Sequence, residues 1–300
     1  MPSGGRRLWL KAQKEIKKKG GERSLDISNI RLACYTGPWG SEGLVRAIAD
    51  IAALGFEGLE CPATVVQQYE DRLHVFEEIL ESSRLKLAGL LQPLNLLDAA
   101  HADEQVERAA NTARFAAAAG ASSVTICHSI PFQDTANDEM WMTFGAIVEE
   151  IGNRCREFGI QMCFMPRARH MVATERDIER LLAMTRKEMV ALAVDTAEAA
   201  LAGAAPQRLI RNYRDRLRAV RYREASGSKR RPRVTSDVRG SAPAFGRGAV
   251  NFEVVSKALL EEDYEGWVIL DVTGESQPPA HAAAAGYRYL VRKSGLFPKI

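Results

Sequence analysis

The residues able to do chemistry stand at the ends of short apolar runs. Those ends read Tyr35, Glu60, Gln92, His128, Met165 with Arg167, Asp195, Arg221 and Asp271. Asp195 directly follows Ala-Leu-Ala-Val, and Asp271 follows Val-Ile-Leu. A charge that closes a buried run must be paired or open to a solvated cavity. Two carboxylates of this kind can hold a divalent cation or pass a proton, with Glu60 as a third acid. Met165 and Arg221, at two further ends on either side of Asp195, offer a thioether and a guanidinium. A hard cation gains nothing from the first, and the second cannot lose its proton to become a ligand.

The runs themselves are Ile30 to Tyr35, Gly58 to Glu60, Lys86 to Leu91, Ser123 to Cys127, Gln161 to Met165, Val190 to Asp195, Leu217 to Tyr222 and Trp267 to Asp271. Near-continuous apolar character marks strands buried on both faces. Helical stripes alternate with them. Leu44, Ile48 and Ile51 share one face; so do Val106, Ala109, Ala113 and Ala116, and so do Phe144, Ile147, Val148, Ile151 and Cys155. Ile178, Leu181 and Leu182 follow a Thr174 cap, and Val254, Val255, Ala258 and Leu259 precede the eighth run. Parallel strands need such crossovers, and eight units close without edges. The expectation is an α/β chain: a single-domain (β/α)8 barrel over residues 30–297, with its reactive groups at the C-terminal strand ends.

Residues 1–29 read as a basic N-terminal extension, disordered or helical, able to dock on a protein partner. Residues 1–23 carry a net charge of +6 against +3 for the whole chain, so the remainder is acidic by 3. A second basic stretch, Arg208 to Arg239, holds twelve basic and three acidic residues. Neither stretch carries a nucleic-acid-binding motif, which argues against nucleic acid. No apolar run approaches a membrane span, and no signal-peptide core follows the basic start. Five cysteines without a CxxC pair fit reduced thiols in a cytoplasmic protein. Residues 223–249 form the longest irregular stretch, expected to be mobile at its tip near the barrel mouth.

The pieces ACYTGPWGSEGLVRAIADIAALGFEGLE, AVDTAEAALAG, LIRNYRDRLRAVRYRE, FGRGAVNF and YEGWVILDVT, in this order and spacing, resemble the xylose isomerase-like barrels. Within them it resembles the sugar phosphate isomerase/epimerase group and its inosose dehydratase-like branch. The resemblance implies one divalent cation, Mn²⁺ or Mg²⁺, on four ligands after strands five to eight. Carried over by position, Asp195 and Asp271 are retained as metal ligands, while Met165 and Arg221 fall on the other two places. Glu198 stands where the branch often has a His. It also implies a homo-oligomer and a small polyol or anionic sugar ligand.

Two functions stay open. One is a divergent protein that has lost most of the metal site and departed from sugar or cyclitol isomerisation, with no cofactor. The other is an active isomerase, epimerase or dehydratase using a rearranged metal site or metal-free work by Asp195, Asp271, Glu60 and Arg221. A metal-dependent nuclease needs more His ligands than this chain has. In the first reading the Arg221 guanidinium replaces the cation and neutralises Asp195 and Asp271. Trp39, His128, Arg167 and Glu198 are the candidate substrate contacts. For each the plain alternative is a packing or solvated-loop residue, and for His128 a satisfied rim histidine.

Overall fold

Each of the eight apolar runs is a strand in the computed structural model, which describes residues 29–132, 134–228, 231–233 and 242–296. The strands are β1 (Ile30–Tyr35), β2 (Gly58–Pro62), β3 (Lys86–Leu94), β4 (Ser123–His128), β5 (Gln161–Phe164), β6 (Val190–Asp195) and β7 (Leu217–Arg223). A short antiparallel pair, β8 (Ser226–Ser228) and β9 (Arg231–Arg233), then precedes β10 (Gly266–Asp271). The barrel closes in the order β1-β10-β7-β6-β5-β4-β3-β2, with every barrel pairing parallel.

Helices α1 (Leu44–Leu54), α2 (Thr64–Tyr69), α3 (Leu73–Ser83), α4 (Ala102–Ala118), α5 (Asp138–Glu157), α6 (Glu175–Met184), α7 (Thr196–Leu201), α8 (Pro206–Asn212), α9 (Phe252–Glu261) and α10 (Pro279–Arg292) fill the crossovers. The apolar stripes read from sequence face inward: α1 buries Leu44, Ala47, Ile48 and Ile51. In α5, Phe144, Val148 and Ile151 are fully buried, each side chain stabilising by about 1.5–3 kcal/mol. Thr174 starts α6 with a capping box, its hydroxyl accepting from the Asp177 amide while Asp177 accepts from the Thr174 amide. Helices α2, α3, α7, α8 and α10 add to the stripes read from sequence.

Period two divides each strand between two cores. Outward residues such as Leu59, Leu90, Ile126, Phe164, Val194 and Leu270 pack on the helices. Inward positions are mostly small: Ala33, Ala88, Cys163, Ala191, Ala193 and Ala219. Trp267 fills the N-terminal end of the cylinder, with the Arg31 guanidinium 4.2 Å from its ring centre. A Cβ at Gly58 would stand 2.7 Å from both Trp267 and the Lys86 carbonyl, so the plug dictates glycine there. Small residues above Trp267 leave room for long polar side chains towards the mouth.

The basic extension and most of the tip of the 223–249 stretch lie outside the described residues. Among the described residues no helix is long and apolar enough to cross a membrane.

Candidate functional site at the barrel mouth

Strand β7 delivers two arginines to one side of the sheet, because Arg221 and Arg223 are two residues apart. β6 ends on Asp195, β10 on Asp271, and β2 carries Glu60. The guanidinium of Arg221 donates through Nη1 to Asp271 Oδ2 at 2.9 Å and through Nη2 to the Glu60 carboxylate. The Tyr35 ring centre lies 4.4 Å from the same guanidinium. All three charged groups are buried. Asp271 also accepts from the Thr273 amide at 2.8 Å and its hydroxyl at 2.5 Å, and Glu60 accepts from the Thr125 hydroxyl at 3.3 Å.

Arg223 forms the second bridge. Its Nε donates to Asp195 Oδ2 at 3.1 Å and its Nη2 to Glu198. Asp195 Oδ1 accepts the amides of Ala197 and Glu198, each at 2.9 Å, so it caps α7 as well. Glu198 Oε2 accepts the Ala168 amide at 2.9 Å, and Arg167 Nε stands 3.7 Å from Glu198 Oε1. The expected bridge from Arg221 to Asp195 is therefore not formed. Arg223 lies nearer that carboxylate, and Glu60 takes the second arm of Arg221. The bridge to Asp271 is formed.

Burial raises the carboxyl of Glu60, against the lowering pull of Arg221. It raises Asp195 too, with Arg223 opposing and Glu198 adding to the rise. For Asp271 burial pushes upward, but Arg221, Arg223 and the Thr273 bonds outweigh it and hold the carboxyl low. Burial alone would lower the pKa of Arg221, yet Glu60 and Asp271 lift it above its ordinary range. The cation is thus fixed as a cation.

Above these bridges opens a cavity of about 460 Å³. Its wall includes Tyr35, Cys127, Met165, Arg167, Asp195, Glu198, Arg221, Arg223 and Asp271, joined by Thr273, Glu275 and Gln277 from the segment after β10. Burial pushes the Cys127 thiol up to about 11, which removes it as a thiolate at neutral pH. Glu60 does not reach the cavity wall; it is sealed against Arg221. Among the described residues no three or more His, Cys, Asp or Glu side chains converge as a metal-holding group.

Two expected contacts stand elsewhere. His128 ends β4 one residue beyond Cys127, so alternation turns it to the helix layer. There its ring meets Phe144 edge-on and its Nδ1 accepts the Leu96 amide at 3.1 Å. Burial, then the neighbouring His170, lowers its pKa to about 4, leaving a neutral imidazole. Trp39 donates its indole N–H to Asp50 on α1 at 3.0 Å and packs on the core, while Gly37 and Pro38 of the same turn line the cavity. Arg167 and Glu198 do line it. The role of Arg223 was readable from its i, i+2 spacing to Arg221; Glu275 and Gln277 lie in a segment with no period to find them by.

A profile of the xylose isomerase-like TIM barrel family matches residues 48–293. Similar curated sequences include an inosose dehydratase of Lacticaseibacillus casei, 25% identical over 83% of this chain and 87% of that protein. An inosose dehydratase of Clostridium botulinum is 23% identical over 84% and 90%. Among solved structures, a probable 3-DHS dehydratase from Bacillus anthracis superposes with a TM-score of 0.73 at 13% identity, covering 88% of this chain and 99% of that one. A 3-keto-D-glucoside 4-epimerase from E. coli gives 0.70 at 14% identity, over 87% and 98%. At such identities the structural likeness speaks for the fold.

Proposed function

The chain belongs to the xylose isomerase-like TIM barrel family, and on that footing we propose that it is a ligand-binding barrel that has departed from metal-dependent chemistry. Its mouth takes a small sugar- or cyclitol-class molecule, and a guanidinium stands at a position that the sequence resemblance assigns to a cation ligand. The observation that carries this reading is Arg221 between Glu60 and Asp271.

The donor set does not fit a divalent cation of the Mg²⁺ or Mn²⁺ kind. Such an ion needs about six oxygen donors, several of them carboxylate or water. Asp271 and Asp195 each give one oxygen to a guanidinium and the other to hydrogen-bond donors of the chain. Met165 presents sulfur, and Arg221 stays protonated. A cation entering here would have to displace a buried arginine already balanced by two acids. The inosose dehydratase relatives support the ligand class, and the polar cavity supports retained binding. A homo-oligomer in the cytoplasm belongs to the same proposal.

Elemental analysis of the purified full-length chain, followed by thermal unfolding with and without Mn²⁺, tests the reading. We expect metal well below one equivalent and no shift of the melting temperature at millimolar Mn²⁺. Stoichiometric retained metal, with dehydration of an inosose that chelation abolishes, would overturn it.

A second reading has one observation in its favour: burial raises Asp195, which lines the cavity. An acid lifted in this way can carry a proton between two sites of a bound polyol without a metal. Turnover of an inosose or ketose by protein stripped with chelator, lost in Asp195→Asn, would establish it.

A further inference from the structure

Among the described residues, three of the four carboxylates in the cavity wall are balanced by guanidinium groups. Asp271 pairs with Arg221, and Asp195 and Glu198 pair with Arg223. Glu275 is the fourth wall carboxylate, and the ion pairs among the described residues do not include it. It is 6% exposed and lies in the segment between β10 and α10. Backbone contacts fix that segment: Ala242 donates its amide to the Gly274 carbonyl at 3.0 Å, pairing the chain beside Glu275. The Glu275 carboxylate accepts the Phe245 amide, which leaves further lone pairs for a partner in the cavity.

We propose that Glu275 is the ligand-facing acceptor of this cavity, the carboxyl that takes a hydroxyl of an uncharged polyol and turns away anionic sugars. The proposal deepens the binding function set out above and rests on it for the class of ligand. The charge of the wall favours that choice. Among the described residues of the wall, Arg167, Arg221 and Arg223 bring three positive charges; Asp195, Glu198 and Asp271 bring three negative ones, and Glu275 adds a fourth once it ionises. The guanidiniums are held by acids of the chain, so a phosphate would meet the excess negative charge instead of an open cationic fork. A hydroxyl meets an acceptor with lone pairs to spare, and the Gln277 amide and Thr273 on the same segment add donors and acceptors.

The groups facing Glu275 are Glu224 from the end of β7 and Asp271 from β10, both acidic. Burial and these two neighbours push its carboxyl up to about 7, against the bond from Phe245. Near neutral pH it therefore exchanges between acceptor and donor, which suits a hydroxyl able to play either part.

The test uses the full-length chain, a water-soluble carbodiimide with an amine nucleophile at pH 7.5, where Glu275 is largely ionised, and peptide mapping by mass spectrometry. Glu275 is expected to be modified at least fivefold faster than Asp195, Glu198 and Asp271. Addition of myo-inositol is expected to slow that modification, and inositol monophosphate is expected not to. In calorimetry, Glu275→Ala weakens myo-inositol binding tenfold or more and Glu275→Gln by less. Modification of Glu275 no faster than that of the paired acids overturns the proposal, and so does protection by the phosphate ester equal to that by myo-inositol. Fast modification that no cyclitol or sugar slows leaves Glu275 standing as the open acceptor and removes the polyol reading instead.

Discussion

Arg221 and Asp195 lie opposite each other in the register of β6 and β7, yet the Arg221 guanidinium reaches past Asp195 to Asp271 and Glu60. In the register of β7 and β10 it is Arg223 that lies opposite Asp271, and Arg223 turns back to Asp195. The two arginines cross, and each ends between two acids. The crossing follows from depth: Glu60 is sealed below the cavity wall, where Arg221, the inner of the two, can reach it.

That burial sets the first prediction. Replacing Arg221 by Met would leave Glu60 and Asp271 close together, buried and without a counter-charge. Breaking one side of such a network costs about 3–5 kcal/mol. Urea unfolding at pH 7 should show a loss of that order, shrinking at pH 5 as one of the two carboxyls takes up a proton. The triple variant Arg221→Met, Glu60→Gln, Asp271→Asn should regain most of the loss, because it removes the charges with their partner. A single variant as stable as wild type would mean that the network carries no net burden of charge.

Arg223 should matter less. Asp195 keeps the amides of Ala197 and Glu198, and Glu198 keeps the amide of Ala168, when the guanidinium is gone. Arg223→Ala is expected to lower stability by about 1–3 kcal/mol, the range for a lost charged hydrogen bond. Hydrogen exchange should quicken around Ala168 and Glu198, where the segment after β5 is tied to α7, and stay unchanged in α4 and α5. Uniform quickening over the whole barrel would contradict this local account.

The barrel itself was legible because its signal is redundant. Runs such as Val190 to Asp195 are apolar on both faces, and stripes such as Phe144 to Ile151 between them repeat at helical spacing. The strand ends followed, since an acid after Ala-Leu-Ala-Val has few places to go. What the sequence left unsettled was direction. His128 and Cys127 are neighbours, and their fates were decided by which of them faces the barrel axis, a choice that no composition reveals. The partner of Asp195 depended on the depth of Glu60, a residue more than a hundred positions away. Glu275 sits in an aperiodic segment, and its place at the wall comes from a backbone contact with Ala242.

Glu224 carries a further prediction about the segment between β9 and α9. Its carboxylate accepts the amides of Ala225, Gly246 and Val250, each at 3.0 Å. The stretch from Phe245 to Val250 is thus wound around one buried acid. Glu224→Ala strands these amides, and each unsatisfied donor costs about 1–3 kcal/mol unless water enters. We expect Gly246 and Val250 to lose protection in hydrogen exchange before the barrel strands do. Gly248→Ala should act on the same contact, since its Cβ would fall 2.2 Å from the Ala225 carbonyl and 2.6 Å from the Glu224 carboxylate. If both variants leave this segment as protected as wild type, Glu224 is not what holds it.

Glu275 gives stability a dependence on pH with a definite sign. Its carboxyl rises from an ordinary 4.5 to about 7 on folding, mainly through burial. The folded chain therefore holds this proton more tightly than the unfolded chain does. The resulting stability is fully present below about 4.5 and is lost as pH rises through about 7. Its size, on the order of 1–3 kcal/mol, follows from about 1.4 kcal/mol per pKa unit and is reduced by the solvent-filled cavity beside the group. Glu60, Asp195 and Glu224 are raised as well, so the wild-type slope contains more than one acid. The difference between wild type and Glu275→Gln isolates the one. Unfolding free energies of the two should run parallel above pH 8 and diverge in favour of wild type as pH falls from 7 towards 5. A constant difference across that window would place the titration of Glu275 near its ordinary value and remove the acid from its role at the wall.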